Sequence, residues 1–147
     1  MRYCAVFLIV VAACSSHTDP ERVPVTVTLT APSVVTGTWS LIDTSRVLSC
    51  AYDLTAVASG GRGDDTVEWT GATITLEAPP ALPGTQEHPA ARVAAWFTRP
   101  LISTGSPATA RMTIGRERPF TAEHQFRYRV AAGTTSSAVA TVQCRAP

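Results

Sequence analysis

The chain has 147 residues, with twelve basic and eleven acidic side chains and a formal net charge of +1 at pH 7. This length fits one domain of ordinary size, and the balanced charge excludes the strongly basic surface that nucleic-acid binding requires. All twelve basic residues are arginine, so no lysine is present to act as a Schiff base or a catalytic base.

The first predicted element is an export signal. Met1-Arg2 carries a positive charge, and the apolar stretch from Tyr3 to Ala13 is much shorter than the ~20 residues of a membrane-spanning helix. The end of this stretch, Val11-Ala12-Ala13-Cys14, resembles the lipobox of bacterial lipoproteins. The resemblance implies cleavage before Cys14, a diacylglycerol on its thiol and acylation of the new amino terminus, which together suffice for stable anchoring. An ordinary cysteine in a buried N-terminal strand or helix is the alternative.

The lipobox resemblance divides the chain into three segments. They are a signal peptide (1–13), a lipidated cysteine with a flexible polar tether (14–22) and a folded domain (23–147). We therefore expect an exported protein that is held to a membrane by its N-terminal lipid. Ser15 after the cysteine is typical of lipoproteins of the outer membrane, so the expected location is the outer membrane or cell surface of a bacterium.

The count of free cysteines changes under this interpretation. Cys4 leaves with the signal and Cys14 carries the lipid, so Cys50 and Cys144 remain in an oxidising compartment. We expect these two residues to form one disulfide. Closing so long a loop contributes ~4–5 kcal/mol in the chain-entropy model.

Alternation of apolar and polar residues predicts β-strands along the rest of the chain. In chain order the predicted strands are 23–30, 34–42, 48–58, 67–76, 92–97, 110–114, 126–130 and 138–144. Gly71 lies where the alternation of the fourth strand changes phase, as a β-bulge requires. The predicted loops and turns are 59–65, 78–90, 98–107 and 133–136.

Seven or eight short strands in one domain are typical of a β-sandwich or a barrel. The stretch LTAVASGGRGDDTVEWTGATI resembles strand B, the B–C loop and strand C of bacterial immunoglobulin-like domains, and FRYRVAAGTTSSAVATVQC is similar to the F–G hairpin of immunoglobulin-like and fibronectin type III domains. The resemblance implies an all-β chain folded as a single immunoglobulin-like β-sandwich. Tyr128 and Val130 depart from the family, because they occupy the region of the usual strand F cysteine. In this topology Cys50 in strand B and Cys144 in strand G fall at the same end of the sandwich.

A small lipocalin-like β-barrel is the alternative fold. Gly37-Thr38-Trp39 resembles the Gly-x-Trp motif of lipocalins. That fold would make the protein a carrier of a small apolar ligand.

Residues with catalytic or metal-binding potential are few. The histidines His17, His88 and His124 lack metal-ligand spacing, and His124 beside Glu123 is interpreted as a surface pair. Asp64-Asp65 is interpreted as a solvated loop tip, because Ca²⁺ needs about six oxygen ligands. The sequence also lacks the Gly-x-Ser-x-Gly motif of a nucleophile elbow. We therefore predict no enzyme activity, no catalytic residue, no cofactor and no metal.

Trp96 and Phe97 are the candidate partner contacts. Adjacent residues of a regular strand point to opposite faces, so one of the two rings is expected at the surface. An exposed aromatic side chain is a common point of contact with a partner. The predicted function is a non-catalytic binding or structural module of the cell envelope that contacts a protein or a glycan.

Overall fold

Two β-sheets packed face to face form the domain in the computed structural model, which describes residues 23–103, 106–131 and 133–147. The predicted signal peptide 1–13 and the tether 14–22 with its lipidation site Cys14 lie outside the described residues. In chain order the elements are β1 (Thr26–Thr30), β2 (Val34–Thr36), β3 (Thr38–Ile42), β4 (Ser45–Ser59), β5 (Thr66–Glu77), β6 (Gly84–Pro89), α1 (Ala90–Trp96), β7 (Leu101–Ile102), β8 (Ala108–Arg116), β9 (Phe120–Val130) and β10 (Ser136–Arg145).

The first sheet is organised around the long strand β4. Strands β1 and β3 pair antiparallel with the two ends of one edge of β4, and β8 pairs antiparallel along its other edge. Alternate β4 side chains from Leu48 to Ala58 are buried, as the period-two pattern predicts.

The second sheet has the order β2-β10-β9-β5-β6, with β7 pairing to the start of β5. The predicted bulge is confirmed, because the register between β5 and β9 shifts between Trp69 and Gly71. Gly71 has a φ of +152°, and a Cβ there would lie 2.9 Å from the Arg127 guanidinium and 3.1 Å from the His88 carbonyl oxygen. The bulge therefore requires glycine.

This arrangement is an all-β immunoglobulin-like sandwich, as the sequence predicts. Strands β4 and β8 of one sheet face strands β10, β9, β5 and β6 of the other. In the immunoglobulin fold, these correspond to strands B and E packed against strands G, F, C and C′. The predicted lipocalin-like barrel is wrong. The predicted function as a carrier of a small apolar ligand depended on that barrel and therefore loses its structural basis. The two sheets remain separate among the described residues, and their inner side chains fill a common core instead of enclosing a ligand cavity.

The chain crosses between the sheets at one edge. It leaves the first sheet after β1, pairs parallel with β10 through β2 and returns to β4 through β3. At the return, the N–H of Gly37 donates to the Arg145 carbonyl at 2.8 Å. A Cβ on Gly37 would lie 2.7 Å from Leu48 Cδ1 and 2.9 Å from Cys50 Sγ, so the crossing passes directly over the core only because this residue is glycine.

The predicted disulfide between Cys50 and Cys144 is present. It joins β4 of the first sheet to β10 of the second, with the two Cα atoms 6.0 Å apart. The two residues are 0% and 1% exposed, so the bridge lies in the core.

Four segments differ from the sequence prediction. Most of the expected strand 92–97 belongs to helix α1, which ends at Trp96, while Phe97 has an extended backbone. The helix forms because the segment is alanine-rich and follows Pro89, whose extended backbone precedes the first helical turn. The expected loop 78–90 contains β6, and the expected loop 98–107 contains β7. The single expected strand 34–42 is divided at Gly37 into β2 and β3.

Replacing both cysteines with alanine (Cys50→Ala with Cys144→Ala) is expected to lower the free energy of unfolding. The separation of 94 residues corresponds to ~4–5 kcal/mol in the chain-entropy model, because the unfolded chain is no longer closed into a loop. Urea denaturation of the oxidised protein and of the variant measures the difference. Wild-type protein treated with a reductant serves as the control and should approach the variant. Free thiols at both positions in the oxidised protein, detected by mass spectrometry, would contradict the bridge.

Candidate functional site

Phe97 is a core residue rather than a surface contact. It is 7% exposed and stacks on Trp69, with ring centroids 4.7 Å apart and planes 11° apart. Phe126 packs edge-on against both rings. Of the two predicted partner contacts, Phe97 therefore belongs to the aromatic core of the sandwich, and Trp96 is the one that reaches a surface cleft.

Trp96 is half-buried at the end of α1. Its ring lies edge-on to His88, with centroids 4.9 Å apart, and edge-on to Phe126 at 6.0 Å. Trp96 ends the helix and Phe97 follows it; both rings contact Phe126, but only Trp96 also contacts His88 and only Phe97 stacks on Trp69. Trp96 thus joins the core to the wall of a surface cleft.

A cleft of about 390 Å³ opens between the edges of the two sheets. Strand β6 and helix α1 form one wall, and the outer edge of β8 forms the other. Beyond a single bridge between Phe97 and Ala110, that edge of β8 has no strand partner among the described residues. We call this site the edge cleft and define it by six of its lining residues, Gln86, His88, Arg92, Trp96, Met112 and Arg116.

Strand alternation determines which β6 side chains face the edge cleft. Gln86 and His88 pair in register with the buried β5 residues Ile74 and Ala72, and point inward. Glu87, between them, points to the outer face of the sheet. The inward side of β6 is therefore neutral and the outward side is acidic.

The edge cleft is cationic. Its described lining contains Arg92, Arg111 and Arg116 and no carboxylate. Arg111 forms an ion pair with Asp53 at 3.0 Å, and Arg116 donates one N–H to the Gly115 carbonyl at 3.0 Å. Arg92 forms no ion pair with the residues that the structure describes. Two guanidinium groups are thus free to bind an anion.

His88 is a neutral member of the lining. Burial lowers the pKa of His88, and the positive charge of Arg92 adds to this effect. Its Nε2 is buried and has no hydrogen-bond partner in the described part of the chain. A buried ring nitrogen without a partner is costly, so this atom is available to a polar group that enters the site.

A second histidine lies deeper in the core. His124 in β9 is 0% exposed, and a hydrogen bond of 2.7 Å joins its Nε2 to the Tyr52 hydroxyl across the two sheets. Its Nδ1 has no partner among the described residues. The expected surface pair with Glu123 is wrong, because alternation in β9 turns Glu123 outward and His124 inward.

Burial also determines the protonation states of His124 and Tyr52. It lowers the pKa of His124 to about 4, with a smaller effect from His88, and it raises the pKa of the Tyr52 hydroxyl. Both side chains are therefore uncharged at neutral pH. The pair is a neutral polar contact in an apolar core.

The outer face of the second sheet also carries charges, but these are paired. Arg129 binds both carboxylate oxygens of Glu68 at 2.7 and 2.9 Å, and Arg127 binds Glu87 at 2.8 Å and Thr73 Oγ1 at 2.8 Å. These contacts hold the pKa of both glutamates below the usual range. The face is polar and balanced in charge.

The described ranges contain neither a cluster of metal-ligating side chains nor a membrane-spanning helix. No group of three or more His, Cys, Asp or Glu side chains there is placed to hold a metal ion. In the predicted loop 59–65, Asp65 accepts a hydrogen bond from the Arg62 N–H at 2.9 Å. No helix within these ranges is long and apolar enough to cross a bilayer.

Comparison with solved structures gives similarities at low sequence identity. The X-ray structure of Northeast Structural Genomics Consortium target SoR45 is similar with a TM-score of 0.58 and 7% identity, over 86% of this chain and 88% of that chain. Murine CRIg aligns with a TM-score of 0.47 and 14% identity, over 83% of this chain and 98% of that chain. No protein-family model and no curated protein matches the sequence. The similarity to SoR45 supports the fold alone.

Among the edge-cleft residues, only Trp96 was predicted from the sequence as a partner contact. Prolines at 79, 80, 83 and 89 favoured a loop over 78–90 and concealed a short strand. The alternation of Thr85, Gln86, Glu87 and His88 was the available signal. Arg92 and Arg116 carried no signal, because only the packing of α1 and β8 brings them to one cleft.

The buried His124 predicts a specific pH dependence of stability. Below pH 6.5 the unfolded chain takes up a proton at this residue, whereas the folded protein does so only near pH 4. Stability is therefore lost as the pH falls through this window, by roughly 3 kcal/mol at its acid end. His124→Gln retains a hydrogen-bonding group but no titration. Urea denaturation from pH 7 to pH 4 should show a smaller loss for the variant, while the carboxylates affect both proteins equally. Parallel curves for the two proteins would contradict the assignment.

Proposed function

We propose that the protein is a lipid-anchored, non-catalytic binding module of the bacterial cell envelope. In this proposal Cys14 carries the lipid, the polar segment up to residue 22 is the tether, and the β-sandwich contacts a glycan of the envelope. A protein partner is the alternative outcome of a binding test.

The Cys50–Cys144 disulfide is the observation that carries the export part of the proposal. The bridge lies in the core, joins the two sheets and uses both cysteines of the described chain. Structural disulfides persist in exported proteins and are rare in reducing compartments. The remaining cysteines, Cys4 and Cys14, then belong to the N-terminal segment, as a lipobox requires.

The position of the edge cleft supports a binding role. The Val23 carbonyl accepts the Gly61 N–H, so the chain joins the domain at the pole of loop 59–65. The edge cleft lies towards the opposite pole, where Ile114 of its lining pairs with Cys50. A tether at the first pole would leave the cleft facing away from the membrane.

The chemistry of the edge cleft supports recognition rather than catalysis. The described lining offers His88 neither a carboxylate to orient it nor a serine or cysteine to activate. It offers instead hydrogen-bonding groups from Gln86 and Arg92 beside the Trp96 ring. Polar groups next to an aromatic surface suit a carbohydrate, whose rings have hydroxyl edges and an apolar face.

Cys14→Ser is expected to move the protein from the membrane fraction to the soluble fraction, because the thiol is the point of lipid attachment. Cys4→Ser is the matched control and should remain membrane-bound, since Cys4 is predicted to leave with the signal. Incorporation of a labelled fatty acid and detergent phase partitioning measure the two variants. Fatty-acid labelling or membrane partitioning of Cys14→Ser at the wild-type level would contradict the proposal.

A further inference from the structure

The edge cleft holds cationic side chains without acidic partners, unlike the outer face of the same sandwich. Arg92 forms no ion pair with any described residue, and Arg116 donates only to a neighbouring backbone carbonyl. On the outer face, in contrast, both nitrogens that Arg129 presents are bonded to Glu68. An incoming anion therefore meets unneutralised charge in the edge cleft, whereas Arg127 and Arg129 on the outer face of the second sheet are already neutralised by glutamates.

The two free arginines approach the edge cleft from opposite walls. Arg92 belongs to α1 above β6, and Arg116 belongs to the last position of β8. Each guanidinium presents a planar fork of N–H donors that matches a carboxylate. A carboxylate between the walls would accept charge-assisted hydrogen bonds from both walls of the edge cleft.

The rest of the lining suits a ring that bears hydroxyl groups. Gln86 supplies both a donor and an acceptor, and His88 has a ring nitrogen without a partner. Trp96 is half-buried and offers an apolar surface. The volume of about 390 Å³ is within the range of sites for small ligands.

We propose that the edge cleft binds a hexuronate unit of an acidic glycan, with its carboxylate between Arg92 and Arg116 and its ring against Trp96. This inference rests on the proposed function, since it names the charge class of the glycan that the module contacts. Arg111 at the rim is neutralised by its ion pair with Asp53, and Gln86 and His88 bind the hydroxyl groups.

The test is a titration of the full-length protein in detergent micelles with sodium glucuronate, glucose and sodium acetate in parallel. Isothermal calorimetry and tryptophan fluorescence follow the binding. We expect saturable binding of glucuronate and affinities at least about ten-fold lower for glucose and for acetate, because each lacks half of the recognised chemistry. Backbone amide shifts should change at residues 86–96 and 112–116 and not on the outward positions of β9.

Variants separate the edge cleft from the general charge of the protein. Arg92→Gln and Arg116→Gln should each weaken glucuronate binding about ten-fold or more, because each removes charge-assisted hydrogen bonds. Arg129→Gln makes the same change in charge on the outer face and should bind as wild type. Near-UV circular dichroism checks that each variant is folded. Trp96→Leu, which removes the aromatic surface against which the sugar ring packs, provides a second probe if Arg116→Gln does not fold, and should weaken glucuronate binding.

The outcomes that overturn this inference differ from those that overturn the proposed function. Equal affinity for glucose and glucuronate would remove the role of the carboxylate but leave a glycan-binding module. Equal affinity for acetate and glucuronate would show a simple anion site and overturn the hexuronate assignment. Equal losses in Arg92→Gln and Arg129→Gln, or no binding of any probe, would also overturn it. Membrane anchoring is decided separately by the Cys14→Ser experiment.

Discussion

The covalent link between the two sheets is the constraint on which the rest of the domain depends. Cys50 lies in the central strand of one sheet and Cys144 in an inner strand of the other, and the chain crosses between the sheets directly over this bridge at Gly37. One side of the sandwich is therefore closed by a disulfide and a crossing strand. On the other side β6 and β8 do not pair with each other in the described structure, so the sheets separate there and the edge cleft opens. The disulfide and the crossing strand thus set the distance between the two sheets, and the edge cleft is the gap that this distance leaves on the opposite side.

The core is held by polar as well as apolar contacts. The hydrogen bond between Tyr52 and His124 spans the two sheets, and the His124 ring packs against Phe126 with centroids 6.3 Å apart. Such a hydrogen-bonded pair contributes little more to the free energy of unfolding than an apolar pair would. Breaking the hydrogen bond is nevertheless destabilising, because each buried group has already lost its hydrogen bonds to water. Its value lies in fixing the alignment of the sheets, since a register slip of one residue would turn His124 to solvent and leave the Tyr52 hydroxyl buried alone.

The sequence predicts the strands in which one face is apolar and the other polar. It does not predict the segments without such alternation, such as helix α1, or the edge cleft that they form. The alternation in β4 and the phase change at Gly71 are local patterns, so the B and C positions and the bulge follow from them. Helix α1 has only Val93 fully buried and contains too few residues to show a helical period, so its apolar run reads equally well as a strand. The edge cleft depends on how α1 packs near β8, which no local pattern contains.

The charge of the edge cleft is a consequence of strand register. Because neighbouring β6 residues face opposite sides, Glu87 stands on the outer face, where Arg127 neutralises it, while neutral Gln86 and His88 face inward. The same alternation places carboxylates of β5 and β9 on the outer face. A protein with an overall balance of charge thus keeps an unbalanced positive site in one cleft. Since Arg92 there has no acidic partner within the described structure, an anionic ligand can bind without first breaking an ion pair of the protein, and this distinguishes the cleft from the paired outer face.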